Sequence, residues 1–339
     1  MPSFAGGYDD GNRAFLQAFL ARGTLTLDTA KPIIAAISTQ QEGREVHAED
    51  ITVEDLDALI YQANRKLSPL DLEIRSAFHQ ETRERVYALI NTTSDPMTQL
   101  ATTYTADEII YVKKLLDAMF DGKNNRRKRE AMCLSGIDAI QVGNAPEKRR
   151  EIQNENATQS TAGILKAREA EGVLNRLVGE GWFEKSMAGF YSLSPRALME
   201  LKAWLIDTYN DEDDEDDSER PDKIKFCHAC KEIITVVSTE VYGIRWIFET
   251  LTKLFSRFQG QRCAQQECSC RLHNICTQNF FRMHRSRACP LCNTEWDGKH
   301  YVGEKAITTS ETYTNRRRRT HDRPTPPVEA ADEDDGDVE

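Results

Sequence analysis

Eight residues in the last third of the chain have the types and spacing of metal ligands: Cys227-x2-Cys230, Cys263-x4-Cys268, His273-x2-Cys276 and Cys289-x2-Cys292. A zinc ion takes four ligands in a tetrahedron from cysteine sulfur and histidine nitrogen, and two ligands a few residues apart grip one ion from a tight knuckle. Four such pairs supply two zinc ions. In the cross-brace of a RING the pairs alternate, so that pairs one and three share an ion and pairs two and four share the other. That pattern assigns Cys227, Cys230, His273 and Cys276 to one zinc, and Cys263, Cys268, Cys289 and Cys292 to the second. Closing long loops around metal lets a domain too small for a full apolar core fold. A single Cys-x2-Cys is weak evidence, but two of them flanking a His-x2-Cys pair are strong. Both sites read as closed, with no coordination position left for catalysis, so any activity belongs to the surface the zinc sites present.

Cys270 is the spare thiol near this pattern and the alternative to Cys268; the four-residue spacer from Cys268 to His273 favours Cys268. His228, His284 and His300 read as solvated or hydrogen-bonded residues, and Cys133 as an isolated cysteine in a helix core. The N-terminus lacks the basic and apolar regions of a secretory signal, and no apolar run is long enough to span a bilayer. An intracellular protein without membrane contact is expected, with reduced thiols that serve metal rather than disulfides.

The elements that must carry these ligands can be read backwards along the chain. At 339 residues, two or three domains are expected. Residues 211–222 hold nine acids and one Arg, and residues 328–339 hold seven acids and no base. Setting both runs aside leaves 43 basic and 39 acidic residues, so the net charge of −11 describes the runs and not the body. The first run reads as an extended linker, at 209–223, and residues 307–339 as a disordered tail. The zinc domain then occupies 224–306.

The N-terminal part reads as two helical units, each with a β-hairpin, at 1–100 and 101–208. In the second, Thr105-Ala-Asp-Glu108 is a capping box opening a helix with Ile109, Val112, Leu115, Leu116 and Met119 on one face. The basic segment 122–129 follows as a loop. A helix is expected from about Ser160 to Val178, stopped by Gly179 and Gly181. A hairpin turning at 186–189 comes next, and then a helix with Ser194 as N-cap and Pro195 as its first residue. In the first unit, Phe15 and Phe19 mark one helix and Ile33, Ile34 and Ile37 a second. Thr52-Val-Glu-Asp55 caps a third, and two strands flank Gln80-Glu-Thr82. The fold class is therefore α+β: tandem winged-helix domains followed by a small two-zinc cross-brace, RING-like domain.

Specific residues also carry a family resemblance. Cys227-His-Ala-Cys-Lys-Glu-Ile-Ile-Thr235, Arg271-Leu-His-Asn-Ile-Cys276, Phe280-Phe281, Cys289-Pro-Leu-Cys292 and the run Trp296 to Ala306 resemble the RING-bearing non-SMC element subunit of the SMC five–six complex, in its fungal form. The resemblance implies a ubiquitin ligase subunit. It implies partners too: a MAGE-type winged-helix subunit and the kleisin of that complex, together with a ubiquitin-conjugating enzyme. The implied setting is the nucleus and chromosome, in DNA repair and recombination. A RING ligase forms no covalent intermediate with ubiquitin; it holds a charged conjugating enzyme so that a substrate lysine attacks. The docking groove of RINGs maps here to Ala229, to Phe280, Phe281 or Met283, and to Pro290. Ala229 is small for that role, and Asn293 stands where active RINGs often carry a basic residue. A zinc-stabilised adaptor without ligase activity is the second reading. A third, weak DNA contact by the winged helices, is motivated by Arg126–Arg129 and Lys148–Arg150.

One segment departs from the family. The 32 residues between Cys230 and Cys263 replace a short loop, and 237–259 read as inserted. The insert begins Val-Ser and ends Phe-Gln, which intron boundary signals can encode, so a translated retained intron is one reading. The other is a genuine amphipathic helix bearing Ile244, Ile247, Phe248, Leu251, Leu254 and Phe255.

Overall fold

The structure is a computed structural model and describes residues 8–80, 82–93, 103–122, 125–126, 129–145, 164–210, 223–235, 260–311 and 313–315. Residues 211–222 of the expected linker, the whole of the expected insert (237–259), residues 316–339 of the expected tail and the basic run Lys148–Arg150 lie outside the described residues.

The first unit runs α1 (Asp10–Arg22), β1 (Thr24–Thr26), α2 (Leu27–Glu42), α3 (Val53–Leu67), β2 (Leu72–Phe78) and β3 (Arg85–Asn91). Asp9 caps α1 by accepting from the Asn12 backbone N–H, and Thr26 and Thr52 close capping boxes with Thr29 and Asp55. Gly23 turns the chain from α1 into β1 at φ +72°, where a β-carbon would be strained. The sheet order is β1-β3-β2, all antiparallel. This is a winged helix, with β2 and β3 as the wing. Its core is Phe15, Phe19, Leu25, Ile34, Leu56, Leu59 and Ile74, with the two Phe rings edge to face at 5.2 Å.

The second unit begins with α4 (Ala106–Phe120), capped by Thr105 and Glu108. It then inserts a hairpin of β4 (Asn125–Arg126) and β5 (Arg129–Glu130). The winged-helix order resumes with β6 (Leu134–Ser135), α5 (Gly136–Asn144), α6 (Ala167–Gly179), β7 (Phe183–Lys185) and β8 (Phe190–Leu193). The sheet order β6-β8-β7 repeats that of the first unit. Helix α7 (Pro195–Tyr209) follows, with the Ser194 hydroxyl accepting from the Ala197 N–H.

The last region carries β9 (Gly260–Arg262), β10 (Arg271–His273), α8 (Asn274–His284), β11 (Tyr301–Val302) and α9 (Glu304–Thr308). Its sheet does not end at its own boundary: the order is β10-β9-β11-β5-β4, with Glu130 of β5 paired parallel to Val302 of β11. One buried cluster accordingly runs from Tyr111, Leu115 and Phe120 through Leu177 and Phe183 to Ile224, Ile234, Leu272, Trp296 and Val302.

Four expectations need correction. The basic segment 122–129 is not simply a loop, because β4 and β5 are recruited by the sheet of the last region. Helix α6 starts at Ala167 and not at Ser160: the Leu165 N–H donates to the Gly143 carbonyl at 3.0 Å, and the Lys166 N–H to Glu169 at 2.9 Å, which holds the entry non-helical and leaves Ile164 exposed. Cys133 is fully buried but lies between β5 and β6 rather than in a helix, against Ala131, Phe190 and Ile307. The ordered body also passes 307: Ile307 is buried within α9, and the Tyr313 ring lies 6.2 Å from Phe190.

The long segments leave and rejoin the body at clasped points. Asn210 accepts from the Ile224 N–H at 2.8 Å and donates to the Ile224 carbonyl at 3.2 Å, across the acidic run. A β-carbon at Gly260 would lie 2.9 Å from the Ile234 side chain, so the two ends of the 236–259 segment meet.

Candidate metal centre

Two loops of the last region share one local design. In the first, the Lys231 N–H donates to the Cys227 carbonyl at 2.8 Å and the Cys227 N–H to the Glu232 carbonyl at 2.8 Å. In the second, the Asn293 N–H donates to the Cys289 carbonyl at 2.9 Å and the Cys289 N–H to the Thr294 carbonyl at 2.8 Å. Lys231 and Asn293 occupy the left-handed region, at φ +62° and +56°, and each loop is flanked by an isolated bridge, Phe226–Ile233 and Ala288–Glu295. A residue just after each Cys-x2-Cys pair must take this conformation to bring both sulfurs to one side. Asn tolerates it better than most side chains, which gives Asn293 a backbone reason to stand where many RINGs carry a base.

The other pairs come from β9, β10 and α8. His273 ends β10 and Cys276 lies in the first turn of α8, while Cys263 and Cys268 bracket the loop after β9. The result is two groups, Cys227, Cys230, His273 and Cys276, and Cys263, Cys268, Cys289 and Cys292, in each of which the ligand atoms lie within 4.8 Å of one another. Sulfur separations of 3.4 Å (Cys263 to Cys292) and 3.6 Å (Cys268 to Cys289) suit a common tetrahedral ion, for which a metal–sulfur bond of about 2.3 Å puts the sulfurs roughly 3.8 Å apart. In the first group His273 Nδ1 faces Cys230 Sγ at 3.3 Å and Cys276 Sγ at 4.0 Å. The donor set therefore fits two metal ions of zinc type. Burial pushes the Cys263 thiol up to about 12, and its thiol neighbours add to that; a divalent cation reverses this by favouring thiolates.

Cys270 belongs to neither group. It is fully buried, its carbonyl accepts from the Cys263 N–H at 3.1 Å, and burial followed by the nearby Cys289 raises its pKa, so it stays a neutral thiol. His228, His284 and His300 lie outside both groups as well. His228 stacks its ring edge to face on Phe280 at 6.1 Å.

The residues expected to dock a conjugating enzyme surround these groups. Ala229 and Pro290 are exposed on the first and second knuckles. Phe280 is half-buried on α8, with its ring against His228, and Met283, one turn on, is 75% exposed. Phe281 turns instead to Trp296, with ring centroids at 5.4 Å.

Two residues that the spacing argument passed over matter to the centre. Glu130, on β5, receives Arg271 in a two-pronged pair, Nε to Oε2 at 2.6 Å and Nη2 to Oε1 at 2.5 Å, with both side chains at or below 5% exposure. The remaining Arg271 donors reach the carbonyls of Cys268 and Cys270. Gln80, at the tip of the first wing, contacts His273. Neither had a local signal: one ends a basic run, and the other sits in a hairpin turn.

The class is thus a pair of winged helices followed by a RING-like domain with two four-ligand groups. Residues 257–292 match the RING-like domain family, and residues 12–201 match the family described as Nse1 non-SMC component of SMC5-6 complex. The second match spans more than half of the chain, and the chain belongs to that family. The human protein named non-structural maintenance of chromosomes element 1 homolog is 24% identical over 288 residues, 85% of this chain and 84% of that protein. The Xenopus laevis protein of the same name is 22% identical, over 91% and 93%. The Schizosaccharomyces pombe protein named non-structural maintenance of chromosomes element 1 is 21% identical, over 77% and 84%. A chain of a solved Nse1-Nse3-Nse4 complex has the same fold, with a TM-score of 0.59 at 21% identity over 86% of this chain and 98% of that one.

Proposed function

We propose that the protein is a RING-type ubiquitin ligase subunit of the SMC5-6 complex, acting in the nucleus on chromosomes. The observation that carries this is the alternation of ligand pairs into two four-ligand groups inside a RING-like domain. Cys227, Cys230, His273 and Cys276 hold one zinc ion, and Cys263, Cys268, Cys289 and Cys292 the other. The ions supply folding free energy and no reaction step. The chemistry is positioning: Ala229, Phe280, Met283 and Pro290 dock a ubiquitin-charged conjugating enzyme so that a substrate lysine reaches the thioester. The winged helices pair with a MAGE-type winged-helix subunit and a kleisin, in keeping with the solved three-protein complex that the fold resembles.

The small Ala229 and the non-basic Asn293 favour a second reading, an adaptor held together by zinc without ligase activity. Ubiquitin transfer with purified conjugating enzymes, with and without the MAGE-type partner, separates the two. The ligase reading expects zinc-dependent chains that Pro290→Ala reduces while zinc content and fold persist. Chain formation absent under every combination would leave the adaptor. A third reading, weak DNA contact by the winged helices through Arg126–Arg129 and Lys148–Arg150, would be marked by a steep loss of affinity with salt.

A further inference from the structure

The wing of the first winged helix does not end in solvent. Its turn holds two neighbouring residues that face different domains. The Thr82 N–H donates to His79 Nδ1 at 3.2 Å, which leaves the proton of a neutral His79 ring on Nε2, and Nε2 lies 3.2 Å from Glu184 Oε1 on β7. Gln80, the next residue, reaches the RING-like domain. Its Nε2 donates to the Ile233 carbonyl at 2.9 Å, and its Oε1 accepts from the Thr235 N–H at 3.0 Å. Those two backbone groups fix which end of the amide is oxygen, because a carbonyl only accepts and an N–H only donates.

The same Oε1 lies 3.1 Å from His273 Nε2. Since Oε1 is an acceptor, Nε2 must carry the proton. A neutral imidazole with its proton on Nε2 has its lone pair on Nδ1, the atom that faces Cys230 and Cys276. The chain of constraint runs from the backbone of residues 233 and 235, through the Gln80 amide, to the tautomer and ring orientation of His273.

We propose that Gln80 is a positioning residue for the first metal site, so that the N-terminal winged helix completes a metal centre whose ligands all lie in the C-terminal domain. The assignment rests on the reading that this group holds zinc. A histidine ligand that donates its other ring N–H to a fixed acceptor is oriented and made more basic, and losing such an acceptor costs about 10–100-fold in metal affinity. The second group has no histidine, and so no ring N–H that needs an acceptor. The two ions should therefore respond differently to a change in the first domain.

The test is zinc release from the full chain to a chromogenic chelator, which resolves two ions per chain by rate. Gln80→Ala is expected to speed the loss of one ion by about 10–100-fold and to leave the other unchanged. His79→Ala breaks the neighbouring contact with Glu184 without touching His273 and is expected to behave like wild type. The assignment fails if Gln80→Ala matches wild type. It also fails if His79→Ala releases zinc as fast as Gln80→Ala, since the effect would then come from docking the wing and not from the acceptor. Wild-type protein carrying no zinc would sink this assignment and the ligase reading together, whereas two tightly held ions with an inert Gln80→Ala would sink this one alone.

Discussion

The first winged helix closes its core with its own residues, from Phe15 and Phe19 to Ile74, whereas the second shares a single core with the RING-like domain, from Tyr111 to Val302. Their element order and sheet order are the same, so the difference does not lie in the winged-helix plan. It lies in one connection. Between the first helix and first strand of the first unit stands Gly23 alone; at the same place in the second unit, the hairpin of β4 and β5 leaves the domain and extends the RING-like sheet. Lengthening a single surface connection converts two neighbouring domains into one packed body. The first unit joins that body by side chains at its wing tip and by α7, not by a shared core.

The largest effect should come from breaking the weld itself. Glu130→Ala leaves Arg271 buried with no counter-charge, and removing one partner of such a pair costs about 3–5 kcal/mol. The tryptophans make the comparison measurable. Of the four tryptophans, Trp182, Trp204 and Trp296 belong to the shared body, Trp246 lies outside the described residues, and the first winged helix contains none. Denaturation followed by tryptophan fluorescence is expected to shift strongly to lower denaturant, while part of the circular dichroism signal, from the first unit, keeps its wild-type midpoint. If Trp182 and Trp204 hold their midpoint while only the RING-like domain unfolds, the shared core is not one cooperative unit.

A smaller effect separates the regions by pH. Burial raises the pKa of Tyr104, Tyr111 and Tyr209, all in the second unit; the Glu180 carboxylate adds to it at Tyr104, and Asp117, which accepts from the Tyr209 hydroxyl at 2.7 Å, adds to it at Tyr209. A folded-state pKa above the unfolded value near 10 means stability that is fully present below pH 10 and lost as the pH climbs from there toward the folded values. At pH 10 the loss is about 0.4 kcal/mol per tyrosine, set by the unfolded chain alone. Fluorescence-detected unfolding should weaken from pH 8 to pH 10 by about 1 kcal/mol. Replacing Tyr209 by Phe should remove about a third of that slope. An unchanged slope would show that these hydroxyls do not carry it.

How much of this was legible in the sequence depends on the distance over which each feature is encoded. The knuckles are encoded within a few residues, so the pairs Cys227 with Cys230 and Cys289 with Cys292 stand out, and the structure sets them beside the expected partners. The capping boxes at Thr52 and Thr105 and the Ser194-Pro195 start are local for the same reason. What the sequence hid is held by partners far along the chain. Strand β5 is two residues long and acquires its pairing from Val302, so no periodicity marks it. The entry to α6 is held open by Gly143, which overrides an apolar spacing that continues back to Ile164. Gln80 reads as a turn residue until residues 233, 235 and 273 are placed around it.

The smallest predicted difference uses those local features to probe the same contrast. Thr52 and Thr105 make equivalent capping boxes, each accepting from the backbone N–H three residues on, at 3.4 Å in both cases. Replacing either by Ala should cost about 1 kcal/mol, because one orphan N–H at a helix start loses its acceptor. If the first unit is a separate core, Thr52→Ala lowers only the circular dichroism transition that fluorescence does not see. Thr105→Ala sits at the start of α4, whose far end at Phe120 leads into the welded hairpin, and it should lower both signals together. Equal shifts of the fluorescence midpoint in the two variants would mean that the wing-tip and α7 contacts couple the first unit to the body as tightly as the shared sheet does, and the contrast between the two winged helices would collapse.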